Sequence, residues 1–102
     1  MEKLWELLKK IPKGKVTTYG LLAKKLKTTP RAVGRMLNSN QNPIKVPCHR
    51  VIMSDGSIGG YRLGIEKKKK LLRSEGINFS NKIDLKEYLF ILLVSSNILG
   101  VL

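Results

Sequence analysis

The chain has 102 residues, of which 20 are Lys or Arg and 7 are Asp or Glu, so its formal net charge at pH 7 is +13. This length suits one domain with a modest core, and a single cysteine and a single histidine cannot supply an internal disulfide or a four-ligand zinc site. A basic excess of this size is typical of proteins that bind nucleic acid, although a ribosome-like or merely soluble basic protein would share it.

The N-terminal sequence and the cysteine content bear on the cellular compartment. Residues Met1 to Trp5 lack the basic and then apolar layout of a secretory signal. A free thiol persists in a reducing environment. We therefore expect a cytoplasmic protein.

The first two predicted helices follow from apolar spacing. Residues 1–10 carry apolar side chains at helical intervals, and Pro12 and Gly14 end this helix. Thr17 and Thr18 are candidate N-caps for a second helix. The apolar positions of the two helices are Leu4, Trp5, Leu8 and Ile11, then Leu21, Leu22 and Leu26.

A third helix is predicted to begin at Thr29-Pro30, because proline at the first helical position loses no hydrogen bond. Val33 and Leu37 form its inner face. Two short helices joined by a tight turn have the layout of a helix-turn-helix, whose second helix enters a DNA groove.

The outer face of this third helix combines small and basic residues. Ala32 and Gly34 leave a nearly bare surface between Arg31 and Arg35. Such a surface suits either close approach to DNA or tight packing against a neighbouring helix. The basic flanks favour DNA.

The middle of the chain contains the predicted β-structure. Turn-forming residues occupy 39–43, and residues 44–53 resemble a strand that Pro47 interrupts. Asp55-Gly56 is a hairpin signal, and Gly59-Gly60 predicts a loop. We therefore expect a mainly α fold with a small β-hairpin-like segment.

A fourth helix is predicted over 65–75, with Gly76 as its stop. The lysine run 67–70 indicates a solvated face or contacts with phosphate. Glu75 lies near the apolar face of this helix, where a carboxylate requires a partner. His49 is an obvious partner, and an exposed glutamate at the helix end is the alternative.

The C-terminal residues differ in character from the rest. The sequence 88–102 is apolar and almost uncharged, yet it is shorter than the ~20 residues that span a bilayer. We divide the chain into a domain at 1–82 and an apolar tail of unknown role at 83–102. The tail is expected to pack on the domain; self-association, membrane contact and a read-through artefact are the alternatives.

Cys48 and His49 are the central chemical feature of the sequence. A thiol is a nucleophile only as the thiolate, and a neighbouring imidazole favours that form. On an extended strand adjacent side chains point to opposite faces, so the pair needs a local turn or a bridging water. The alternative is that Cys48 is a small buried apolar residue.

The segment 40–61 resembles the active-site segment of the O6-alkylguanine-DNA alkyltransferases. The family motif Pro-Cys-His-Arg-Val is present at 47–51, and the matching flanking residues are Asn40, Pro43, Gly59 and Tyr61. The resemblance runs from about Trp5 to Gly76 and covers the C-terminal, DNA-binding and catalytic domain of the family. It implies a winged-helix-like helix-turn-helix domain.

The resemblance also implies catalytic roles. Cys48 is the alkyl acceptor, activated through water by His49 with Glu75 behind it. Asn40 ties the recognition helix to the active-site segment. Tyr19 turns the target phosphate and donates a proton to the guanine ring. The reaction is a single-turnover transfer that requires no cofactor and no metal.

The implied partner is double-stranded DNA containing O6-alkylguanine, bound through the minor groove after the base is flipped out. Arg31 fills the space that the base leaves, and Ala32 and Gly34 face the groove. The remaining assignments are Thr18 and Arg35 for DNA binding, and Tyr61, Gly59, Gly60, Ile58, Ser54 and Leu37 for the substrate pocket.

Two other functions are consistent with the sequence. One is a non-catalytic damage-recognition protein of the alkyltransferase-like group, in which another residue, often Trp, replaces the cysteine. The other is a basic helix-turn-helix regulator with an incidental cysteine. The presence of Cys48 favours alkyl transfer.

Overall fold

The computed structural model describes residues 2–41 and 46–90. Its described part is mainly helical, which confirms the predicted fold class. The elements in chain order are α1 (Glu2–Lys9), β1 (Thr17–Thr18), α2 (Tyr19–Leu26), α3 (Pro30–Asn38), a 3₁₀-helix (Cys48–Arg50), β2 (Val51–Ile52), α4 (Ile65–Ser74) and α5 (Leu85–Tyr88).

Side-chain caps define the helix-turn-helix pair. The Thr18 hydroxyl accepts a hydrogen bond from the Leu21 amide at 3.1 Å, and α2 begins there. The Thr29 hydroxyl accepts from the Ala32 amide at the same distance, with Pro30 in the first turn of α3. Each cap satisfies an amide that the first helical turn leaves without a partner. Helices α2 and α3 pack against each other across the three residues that join them.

The β-structure differs from the predicted hairpin. Strands β1 and β2 pair in parallel, with Thr17 opposite Val51 and Thr18 opposite Ile52. Residues 53–57 do form a tight turn, closed by a 2.8 Å bond from the Met53 amide to the Ser57 carbonyl. The chain after this turn does not pair with β2. The Ile58 carbonyl instead accepts a hydrogen bond from a lysine side chain.

The short sheet separates two apolar clusters. Val51 belongs to the cluster formed by the first three helices, whereas Ile52 belongs to the cluster that includes Leu72 and Ile77 of the C-terminal part. Successive side chains of a strand point to opposite faces, so two adjacent residues contribute to both clusters. The sheet therefore fixes the segment that carries Cys48 between the two halves of the core.

The start of the predicted tail packs on this domain. Ile83 and Tyr88 are buried in the same cluster as Leu72, and the Phe90 amide donates to the Val16 carbonyl at 2.7 Å. Residues 83–90 are thus packed with the domain that the sequence analysis ended at residue 82. The rest of the predicted tail, 91–102, lies outside the described residues, as does Pro43. No helix in the described ranges is long and apolar enough to cross a membrane.

Candidate active site

A cleft of about 720 Å³ opens between α3 and the chain from Met53 to Arg62. Eight of the predicted site residues line it, which brings together side chains from α2, α3, the 3₁₀-helix and the following loop. These residues are Tyr19, Arg31, Gly34, Leu37, Cys48, Ser54, Gly60 and Tyr61. The other lining residues are Pro30, Asn38, Met53, Asp55 and Arg62.

Cys48 faces this cleft from the first position of the 3₁₀-helix. The residue is only 4% exposed, yet it is part of the cleft wall, so a ligand in the cleft would meet it. Burial raises the pKa of the thiol, while a hydrogen bond from the Asn40 side chain and the charges of Lys68 and Arg62 act against that rise. The protein therefore holds a thiol, rather than a thiolate, at neutral pH.

The 3₁₀-helix turns the next two side chains away from the cleft and toward Glu75. His49 Nε2 lies 3.0 Å from Glu75 Oε2. Arg50 grips the same carboxylate with two hydrogen bonds, from Nε at 2.9 Å and from Nη2 at 2.7 Å, and its Nη1 donates to the Ile11 carbonyl. This arrangement ties α1, the 3₁₀-helix and the end of α4 together.

The charge states of this group follow from its contacts. Burial opposes ionisation of Glu75, but hydrogen bonds from Arg50 and His49 outweigh it and hold the pKa of the carboxyl below its ordinary value. Burial lowers the pKa of His49, with Glu75 acting in the opposite direction, so the imidazole is neutral at pH 7. A carboxylate only accepts hydrogen bonds, and Nε2 therefore carries the imidazole proton. Nδ1 then presents a lone pair, and it is buried with no partner among the described residues.

Asn40 joins the end of α3 to the active-site segment. It follows the C-cap Ser39 and is buried. Its Nδ2 donates to the Val46 carbonyl at 2.9 Å, and its side chain also forms a hydrogen bond with Cys48. The Asn40 backbone carbonyl accepts a hydrogen bond from Arg62 Nη1. A shift of α3 would therefore be transmitted to the sulfur.

Lys68 is a site residue that the sequence analysis missed. Its side chain is fully buried, and Nζ donates to the carbonyls of Val51 and Ile58 at 2.6 Å and of Gly60 at 3.0 Å. Burial lowers its pKa to about 8, with Cys48 acting in the opposite direction. The lysine run suggested solvated charges, but Lys68 precedes the buried Leu72 by four residues and so lies on the inner face of α4. That spacing was the available signal.

Two tyrosines, Tyr19 and Tyr61, line the cleft. The Tyr19 hydroxyl is 3.5 Å from the Gly60 carbonyl, and burial followed by the nearby Cys48 raises the pKa of this phenol. The same causes raise the pKa of Tyr61 to about 12. The Tyr61 ring lies edge-on to His49, with centroids 6.4 Å apart. Both phenols therefore stay protonated at neutral pH and can donate hydrogen bonds.

The cleft lining does not include the predicted residues Thr18, Ala32, Arg35, Ile58 and Gly59. On α3, Arg31 and Arg35 are exposed, and a Cβ added at Gly34 would meet no protein atom within 4 Å. Thr18 is buried, and its hydroxyl caps α2. Its contact with DNA stays a prediction. Ile58 points into the core rather than into the cleft. A Cβ added at Gly59 would lie 3.3 Å from Tyr19 Cε2, and Ala32 is half-buried.

Comparison with known proteins agrees with this geometry. Residues 1–77 match the family model described as 6-O-methylguanine DNA methyltransferase, DNA binding domain. A methylated-DNA–protein-cysteine methyltransferase from Thermococcus gammatolerans is 56% identical over 71 residues, which cover 70% of this chain and 40% of that protein. The chain spans between 40% and 46% of the length of three such relatives, and 30% of a bifunctional methyltransferase/endonuclease from Picrophilus torridus that is 52% identical over 90 residues.

Solved structures give the same result. The O6-methylguanine-DNA methyltransferase of Pyrococcus kodakaraensis strain KOD1 superposes with a TM-score of 0.69 at 55% identity, over 74% of this chain and 45% of that one. S. pombe Atl1, crystallised with damaged DNA containing O6-carboxymethylguanine, superposes with a TM-score of 0.77 at 30% identity, over 87% and 92% of the two chains. The chain therefore belongs to the 6-O-methylguanine DNA methyltransferase DNA-binding domain family.

Proposed function

We propose that this protein repairs DNA by direct reversal, moving the alkyl group of O6-alkylguanine onto Cys48. The observation that carries the proposal is a free thiol in the wall of an open cleft, backed by a neutral imidazole with an unused nitrogen. A buried cysteine of purely structural use requires neither the cleft nor the imidazole.

The substrate base has to leave the duplex before it can reach the sulfur. A stacked guanine cannot bring its O6-alkyl carbon to a sulfur in the wall of a cleft, and base flipping costs about a few kcal/mol. A cleft of about 720 Å³ can hold a purine together with a small alkyl group. Leu37 and Ser54 line it with Tyr61 and Gly60, which supports their proposed role in the substrate pocket.

The proposed chemistry is a displacement at carbon. The thiol proton passes through water to His49 Nδ1, and Glu75 stabilises the resulting imidazolium. The sulfur then forms a bond to the alkyl carbon while the bond from that carbon to O6 breaks, and the bonding electrons remain on the guanine. A proton from Tyr19 neutralises the leaving base. The product is a thioether, which no group in this chain can cleave, so each molecule acts once.

The proposed DNA surface is the outer face of α3. Arg31 and Arg35 are exposed there, and the open surface at Gly34 allows a nucleic-acid backbone to come close. The similarity to Atl1 bound to damaged DNA supports double-stranded DNA as the partner. In this proposal α3 enters the minor groove and Arg31 occupies the space of the extruded base.

The proposal is tested with a duplex that carries tritium in the methyl group of a single O6-methylguanine. We expect one labelled methyl group per protein molecule, with the label on Cys48 in the peptide map. Cys48→Ser should bind the duplex but acquire no label, and an unmodified duplex of the same sequence is the matched binding control. Labelling of any other residue would contradict the assignment of Cys48.

A second candidate function has specific support. The superposition with S. pombe Atl1 covers nearly all of both chains, so a damage-recognition role without transfer is the natural alternative. Tight binding to the O6-methylguanine duplex with no label on the wild-type protein would favour it. Equal affinity for the modified and unmodified duplexes would instead favour a general DNA-binding role.

A further inference from the structure

Arg62 is a cleft residue that neither the sequence analysis nor the proposed mechanism uses. It lines the same cleft as Cys48 and lies in the turn that the Gly64 amide closes onto the Tyr61 carbonyl. Its Nη1 donates to the Asn40 backbone carbonyl, and the side chain of that same asparagine bonds to Cys48. The guanidinium is thereby tethered beside the reacting sulfur.

This guanidinium retains donors for a ligand. A guanidinium has five N–H groups in a planar fork, and one of them is used by the Asn40 carbonyl. Within residues 2–41 and 46–90 the other four have no protein acceptor. Arg62 is also solvent-exposed, so its remaining donors are open to the cleft.

The charged side chains near Cys48 differ in whether they can reach a ligand in the cleft. The two charged side chains that favour ionisation of Cys48 are Lys68 and Arg62, and both are positive. Lys68 is enclosed and already donates to three carbonyls, so it cannot turn toward a ligand. The acidic residue of the cleft, Asp55, accepts from the Ser57 amide and lies 3.8 Å from Lys82, which partly neutralises it. Arg62 is therefore the cation near the sulfur that can reach a ligand.

The chemistry of O6-adducts gives such a cation a use. A methyl group is neutral and needs no charged partner. A carboxymethyl group places a carboxylate on the very carbon that the sulfur attacks, so the developing thiolate and the carboxylate repel each other. A guanidinium can offset this repulsion because it binds a carboxylate through two parallel hydrogen bonds.

We infer that Arg62 is a specificity-determining residue that lets this cleft process anionic O6-adducts, whose carboxylate it binds during transfer. The inference rests on the proposed function. The sulfur forms a bond to the methylene carbon, and the bond from that carbon to O6 breaks with its electrons going to guanine. The thiol proton goes through water to His49 and the guanine takes its proton from Tyr19, as in the proposed transfer of a methyl group. The carboxylate stays on the new S-carboxymethyl group and keeps its contact with Arg62.

The test compares three duplexes that share one sequence and differ only in the O6 group: carboxymethyl, the neutral isostere carbamoylmethyl, and methyl. Single-turnover transfer rates are measured for the wild type, for Arg62→Gln, and for Lys86→Gln. The last variant removes a positive charge from an exposed residue of α5 outside the cleft, and is the matched control.

We expect Arg62→Gln to slow transfer from the carboxymethyl duplex by about tenfold, since one hydrogen bond between charged groups contributes about that factor. Its rates on the two neutral duplexes should stay within about twofold of wild type, and Lys86→Gln should leave the ratio between adducts unchanged.

Other outcomes would overturn the inference. Equal slowing on all three duplexes would mean that Arg62 acts through Asn40 or through a DNA phosphate, and unchanged rates would mean that it does not touch the adduct. Failure of the proposed function itself is separate, because the wild type would then transfer nothing from the methyl duplex.

Discussion

Glu75 accepts hydrogen bonds from both His49 and Arg50, and the two come from adjacent positions of one 3₁₀ turn. The carboxylate thus has a fixed orientation before any substrate arrives. Because Arg50 also donates to the Ile11 carbonyl, the position of the imidazole depends on the turn after α1 as well as on the end of α4. The carboxylate thereby sets which imidazole nitrogen carries the proton.

Removing the charge of Glu75 should therefore impair transfer. Glu75→Gln keeps the shape of the side chain but no longer stabilises an imidazolium, so we expect a loss on the order of 10²-fold in the single-turnover rate. The matched control is Glu87→Gln, which removes an exposed carboxylate on α5. Rates are compared per folded molecule, determined by circular dichroism. An unchanged rate in Glu75→Gln would exclude a role for this carboxylate in transfer.

The stability of the protein should depend on pH through its one histidine. Burial lowers the pKa of His49 below the ordinary 6.5, so the unfolded chain takes up a proton before the folded chain does. The free energy of unfolding is therefore greatest above pH 6.5 and decreases as the pH falls toward the lower folded-state pKa. Urea unfolding in buffers at about pH 7.5, 6.5 and 5.5 measures how the free energy of unfolding changes with pH.

The histidine variant isolates its contribution to that slope. His49→Gln cannot titrate, so its stability should change less between pH 7.5 and 5.5 than that of the wild type, whatever its absolute value. A steeper decline in His49→Gln than in the wild type would show that the acid sensitivity comes from other groups.

Local features of the fold could be predicted from the sequence, and long-range pairings could not. The caps at Thr18 and Thr29 depend on residues within one helical turn, and the glycine at 76 ends α4 as expected. The parallel pairing of Thr17 with Val51 joins residues far apart in the chain, and no local pattern indicates it. The Asp55-Gly56 signal was correct for the turn and wrong for the strands on either side of it.

The same distinction applies to the site. The contact between His49 and Glu75 was expected because a carboxylate on an apolar face needs a partner, and the two groups do meet. The two hydrogen bonds from Arg50 to that carboxylate were not expected, since nothing in the spacing distinguishes Arg50 from the many other basic residues. Lys68 was overlooked because it stands in a run of lysines. Its spacing of four residues from the buried Leu72 does distinguish it from the others in that run.

Lys68 should be needed for stability more than its neighbours in the lysine run. Lys68→Met removes the donor from three carbonyls, of which those of Val51 and Ile58 are buried, and we expect a loss of about 2–4 kcal/mol in the free energy of unfolding. Lys67→Met is the matched control, because Lys67 is exposed on the same helix and its replacement should change stability by less than about 0.5 kcal/mol.

Equilibrium urea unfolding measures both lysine variants under the same conditions. If Lys68→Met were as stable as Lys67→Met, the three carbonyls would have to find other donors. The contacts that hold the loop between Ile58 and Gly60 would then not depend on Lys68.

Two adjacent glycines offer a paired test of the cleft wall. Gly59 has a φ of +75°, and a Cβ there would lie 3.3 Å from Tyr19 Cε2 and 3.4 Å from Met53 Cγ. Gly60 has no such backbone constraint, and a Cβ there would meet no protein atom within 4 Å. Gly59→Ala should therefore destabilise the protein by about 1–2 kcal/mol and displace Tyr19, whereas Gly60→Ala should be nearly neutral.

Thermal unfolding and the transfer rate from an O6-methylguanine duplex together measure the effect of the two alanine variants. Because the clash at position 59 falls on the Tyr19 ring, the rate should fall in Gly59→Ala even at temperatures where the variant is fully folded. Equal effects of the two substitutions would mean that the backbone of this loop adjusts freely, and that a Cβ at position 59 does not displace the phenol.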